Sequence, residues 1–137
     1  MDKVEIRSSN SGETEISGST TALRKISQSM LDLISDRGRV NCVIEGVMVD
    51  PDPYDVCLSY VLISKSNTLT KVSVVGNYLQ IEGDYNSLEY FATWFDFEDD
   101  TWSGYHNHFD YWEGNEYVDP DSMSLVIMVK NLIKRSD

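Results

Sequence analysis

Glu15-Ile16-Ser17-Gly18, followed by Leu23, Ile26 and Met30, returns as Gln80-Ile81-Glu82-Gly83, followed by Leu88, Phe91 and Phe95, at a constant offset of 65 residues. Each tetrapeptide alternates like the end of a strand, closes on glycine and leads into apolar residues at helical spacing. A second pair lies further on. Glu45-Gly46 leading to Val49-Asp50-Pro51-Asp52 matches Glu113-Gly114 leading to Val118-Asp119-Pro120-Asp121. Two motifs twinned at nearly one distance point to an internal repeat; the alternative is coincidence between two stretches of similar order.

Outward from these anchors, Val4 to Arg7 and Thr14 to Ile16 read as a hairpin turning near Ser11-Gly12. A helix opens after Gly18, with Ser19 or Thr20 as N-cap. It buries Leu23, Ile26, Met30, Leu33 and Ile34 on one face and is expected to end at Arg37-Gly38. Val40, Cys42 and Ile44 alternate as a strand, and a proline turn leads to one long strand from Val56 to Ser64. The second unit repeats the order: a hairpin about Gly76-Asn77, a helix from Asp84 to Asn86 onward, and strands over Tyr105 to Tyr111 and Ser124 to Val129. The expected fold is α+β. A single domain over 1–137 would hold two β-β-α-β-β units in tandem, about 3–66 and 70–130, as antiparallel sheet with both helices on one side. Units of about 65 to 70 residues are marginal alone and should pack on each other.

Charge separates the halves. Between Lys71 and Lys130 there is no lysine or arginine, but there are twelve carboxylates, all three tryptophans, all four phenylalanines and six of the eight tyrosines. Residues 1 to 71 carry ten acids against eight bases. The total of −12 argues against direct binding to nucleic acid or an anionic membrane and favours a cationic partner. Asp96, Glu98, Asp99 and Asp100 follow the second helix, where its dipole disfavours anions, so a binding constraint is the suspect. Trp94 and Phe97 fall off the apolar helical face and are expected to point outward. The candidate docking residues are Asp96, Glu98, Asp99, Asp100, Trp102, Asp110, Trp112, Glu113 and Glu116. The plainer alternative is a solvated acidic face over an aromatic core.

His106, His108 and Asp110 alternate, so on a strand they share a face. Such a set suits a partner-contact strand, a small-ligand contact, or three ligands for zinc or another divalent ion. No further ligand is selected by the sequence, so no metal or other cofactor is expected. No Gly-rich phosphate loop, nucleophile elbow or Cys-x-x-Cys pair is present, which points away from an enzyme. Cys42 and Cys57 sit in strand-like segments and read as buried free thiols rather than a disulfide. The N-terminus from Met1 lacks a signal-peptide core and no run spans a membrane, so a cytoplasmic protein is expected. The oligomeric state stays open between monomer and dimer, since the edges of a hairpin sheet can pair.

Ile16-Ser17-Gly18, then Leu23 and a helix, together with His106-Asn107-His108-Phe109-Asp110-Tyr111, Gly114, Tyr117, Pro120, Ser122 and Leu125-Val126-Ile127, resembles small immunity proteins of bacterial polymorphic-toxin systems. That group includes contact-dependent growth inhibition. The resemblance covers roughly half of the chain and transfers no individual contact residue. It implies an immunity protein that binds and inhibits a cognate basic toxin, a nuclease in the leading version, without catalysis. The alternatives are a DNA-mimic or anti-restriction inhibitor and a metal-dependent enzyme built on His106, His108 and Asp110.

Overall fold

Both N-terminal alternations form strands. In the computed structural model, which describes residues 3–131, β1 (Glu5–Ser8) and β2 (Glu13–Gly18) pair antiparallel with Ile6 opposite Ile16. Gly12 turns the hairpin at φ +97, a conformation that suits glycine. Helix α1 (Thr20–Ser35) then starts on Ser19, whose side chain accepts the Ala22 N–H at 3.0 Å. Sixty-five residues later the same device recurs: Asp84 accepts the Ser87 N–H at 2.8 Å and opens helix α2 (Tyr85–Ala92). The repeated glycines have a packing reason. A Cβ on Gly18 would lie 3.1 Å from Val4 Cγ1, and one on Gly83 would lie 3.2 Å from Thr70 Cα. Each glycine lets the start of its own hairpin pass close to the strand–helix junction.

The remaining strands are β3 (Asn41–Glu45), β4 (Val56–Cys57), β5 (Tyr60–Lys65), β6 (Lys71–Val75), β7 (Tyr78–Gly83), β8 (His106–Phe109) and β9 (Ser124–Val129). The fold is α+β, with two mixed sheets where one antiparallel sheet was expected. A five-stranded sheet runs β4-β1-β2-β9-β8 and a four-stranded sheet runs β3-β5-β7-β6. The first hairpin thus pairs with the last two strands of the second unit, and the second hairpin with strands of the first. The joints are parallel and alike: Ile16 faces Ile127 in β2·β9, and Ile81 faces Ile63 in β5·β7. The units follow one another along the chain but exchange strands in space. Periodicity fixes which face of a strand is apolar but not which strand lies beside it.

The twinned Val-Asp-Pro-Asp turns do the same work. Asp50 Oδ1 accepts the Asp52 N–H at 3.0 Å, and Asp119 Oδ1 accepts the Asp121 N–H at 2.8 Å, both Asx turns. The chain then returns to a hairpin, with Leu58 N–H on Ile6 O and Met123 N–H on Val72 O, each at 2.8 Å. At Leu58-Ser59 it passes between sheets, so the strand expected from Val56 to Ser64 is two strands. Helix α1 also stops earlier than expected. Asp36 is extended, its Oδ1 takes the Gly38 N–H at 2.9 Å, and the cation at this helix end is Lys65, donating to Asp36 O at 2.5 Å. The aspartate's own turn competes with the helix. The helices pack on each other, and Leu23, Ile26, Met30, Leu33 and Phe91 meet Ile6, Ile16, Ile63, Leu79 and Ile127 in one core. Cys42 is buried and Cys57 half-buried, both free thiols; burial pushes the Cys42 thiol up.

The units differ in where they are lengthened. Residues 53–57 of the first form a strap, and Tyr54 Oη donates to Glu15 Oε1 at 3.2 Å on the outer side of β2. Arg7, also buried there, donates from Nε to Asp50 O at 3.2 Å and sits 2.9 Å from Glu5 Oε1. Burial, then the Glu15 charge beside it, push Tyr54 up to about 12. The unfolded chain would lose that proton first, at about pH 10. The strap's contribution to stability is therefore complete below about pH 10 and lost as pH climbs toward about 12. Ultraviolet titration should show a tyrosine ionising only as pH approaches about 12, and Tyr54→Phe should delete that step.

Candidate partner-binding surface

After Ala92 the chain tightens into a 3-10 turn, Thr93–Phe95, and then alternates inward and outward. Phe95 and Phe97 are buried, while Asp96, Glu98, Asp99 and Asp100 are exposed. The segment is fixed from outside. Arg24 of α1 donates through Nη1 to Phe97 O at 2.8 Å and through Nη2 to the Asp99 carboxylate. Thr101 Oγ1 donates to Glu98 O at 2.7 Å, and Asn131 Nδ2 donates to Thr101 O at 2.8 Å. Gly104, at φ +100, turns the chain into β8. Between these points Asp96, Glu98, Asp100, Trp102, Tyr105 and Asn107 line a shallow concavity of about 500 Å³. Trp102 is 67% exposed and meets Tyr105 edge-on at 5.5 Å.

The rest of the candidate set lies beyond the other end of β8, on residues 110–117. Gly114 turns that loop at φ +91, and Tyr117 closes it by stacking on Tyr90 at 4.2 Å. Trp112, Glu113 and Glu116 are exposed on it. Asp110 is half-buried and takes a hydrogen bond from Ser124 Oγ. The structure therefore gathers Asp96, Glu98, Asp100 and Trp102 into one concavity. Trp112, Glu113 and Glu116 form a second group, and Asp99 and Asp110 are committed to Arg24 and Ser124.

Two expectations change. Phe97 is buried and Trp94 half-buried against Tyr90 at 6.0 Å and Phe109 at 5.7 Å, because helical spacing stops applying at Ala92. The α2 dipole also bears on fewer of the acids than expected: Asp96 caps the 3-10 turn that continues α2, but Glu98, Asp99 and Asp100 lie beyond that turn, where the dipole has faded. Their clustering is still unexplained by the fold, since Arg24 engages only Asp99. His106 and His108 are both exposed, with ring centroids 5.0 Å apart, but Asp110 turns away to Ser124. Among the described residues no three His, Cys, Asp or Glu side chains gather to hold a metal. No described helix is long and apolar enough to cross a membrane. Arg24 and Asn131 went unread because their partners lie far away in the chain, where local pattern carries no signal.

No family model, curated protein or solved structure matches the chain significantly.

Proposed function

We propose that this chain is an immunity protein: a non-catalytic inhibitor that binds a cognate basic toxin domain, of nuclease type, through the acidic and aromatic surface around β8. The observation that carries the reading is the concavity in which Asp96, Glu98 and Asp100 surround an exposed Trp102. Nuclease clefts are cationic because they hold phosphates. A rim of carboxylates steers such a surface into contact, and a rigid exposed indole supplies the apolar anchor once water leaves. Inhibition of this kind needs only occupancy of the toxin's cleft.

Co-expression with a basic toxin domain encoded by an adjacent gene tests the reading. A one-to-one complex that survives purification and lacks nuclease activity is the expected result. A neighbouring toxin that neither binds nor loses activity at stoichiometric protein would overturn it.

A further inference from the structure

Strands β4 and β8 end one sheet, and β3 and β6 end the other. Exposed edges invite another chain, so proteins shorten or cover them. Here β4 is two residues long, and β6 is covered by residues 118–123: Ser122 Oγ takes the Val72 N–H at 2.9 Å, and Val72 O takes the Met123 N–H at 2.8 Å. Strand β8 has no such cover among the described residues. Val129 N–H bonds Tyr105 O at 2.9 Å on the β8 side, while Lys130 N–H bonds Gly18 O at 2.7 Å on the β2 side. Antiparallel alternation then turns the backbone groups of Asn107 and Phe109 toward β9 and those of His106 and His108 away from it. These outward N–H and C=O groups have no hydrogen-bond partner among the described residues. The edge is flanked by Asp96, Glu98 and Asp100 at one end and by Glu113 and Glu116 at the other.

We infer that β8 is the docking edge: a cationic, extended segment of the partner protein adds to the five-stranded sheet against His106–Phe109. Its backbone exchanges hydrogen bonds with His106 and His108, and its lysine or arginine side chains reach the carboxylates at either end. This rests on the acidic surface being the binding surface and adds the mode of contact. The charge decides the occupant. The other open edge, β3, carries one exposed acid, Glu45, but lies near Lys3, Arg37 and Arg39, so a basic segment finds much less attraction there than at β8.

The test uses the full chain and a synthetic decapeptide alternating lysine and threonine, with a control of equal charge N-methylated through its central residues. The peptide should bind, slow amide exchange at His106 and His108, and bind roughly tenfold better than its N-methylated control. His108→Pro removes an outward N–H and should weaken the peptide about as much, with the fold kept, since proline is tolerated at such edge positions. The N-methylated control needs no variant, so an unfolded His108→Pro protein would not mask the answer. Equal binding of both peptides, with no protection at His106 and His108, would overturn strand addition while leaving the acidic surface as the binding site. Concentration-dependent protection without peptide, accompanied by dimer in sedimentation, would overturn it in favour of a second copy pairing through β3. The acidic-surface reading itself is tested separately: it fails if Asp100→Lys and Trp102→Ala each leave cognate toxin binding unchanged.

Discussion

Phe91→Ala is expected to lower stability by about 3–5 kcal/mol, and Trp102→Ala by no more than about 0.5 kcal/mol. Both are large rings in the lysine-free segment, so the contrast tests how that segment divides its aromatics. Phe91 is fully buried, in contact with Phe95 at 5.1 Å and Phe109 at 4.3 Å, and joins α2 to β8 across the core. Removing it strips apolar surface and opens a cavity between a helix and a strand that cannot readily collapse. For a chain of 137 residues the melting temperature should fall by roughly 10–20 °C. Trp102 lies mostly in water with one edge on Tyr105, so truncation leaves little to fill. Thermal melts of the two variants beside the parent decide the matter. Similar losses would mean that the indole is part of the core and not part of a binding surface.

That division was half legible in the chain. The phenylalanines at 91 and 95 stand at helical spacing and read as core, and the first N-cap, the hairpins and the two proline turns are local enough to read, whereas the Asp84 cap and the Asx bonds of those turns are not singled out by pattern. The burial of Phe97 is not legible because it depends on where α2 stops, and nothing in Phe91-Ala92-Thr93-Trp94 announces a 3-10 turn after Ala92. The strand exchange was invisible for another reason. β2 and β7 carry the same alternating pattern, so either hairpin satisfies the faces of either strand pair, and the choice is made by packing at long range. The acids were found by composition alone. Which of them are free was not, because Arg24 and Ser124 reach Asp99 and Asp110 from 75 and 14 residues away.

Those commitments decide which substitutions test the surface cleanly. Asp99→Lys would break the tie to Arg24 and loosen the loop, mixing structure with binding, whereas the Asp100 side chain lines the concavity with no ion-pair partner among the described residues. Asp100→Lys together with Trp102→Ala should weaken cognate toxin binding by roughly 100- to 1,000-fold while the melting temperature stays within a few degrees. The two changes should act on different rates. Asp100 is at the rim, so its reversal lowers the association rate, and the deficit should shrink as salt rises and screens the encounter. On the proposed reading Trp102 is the apolar anchor, so its loss should speed dissociation, with little dependence on salt. Stopped-flow association and surface-resonance dissociation, each at low and physiological ionic strength, separate these contributions. If both single variants bind like the parent at low salt, the concavity between the 3-10 turn and β8 is not where the toxin docks. Loss of affinity only from Trp112→Ala or Glu116→Lys would instead move the contact to the loop beyond β8.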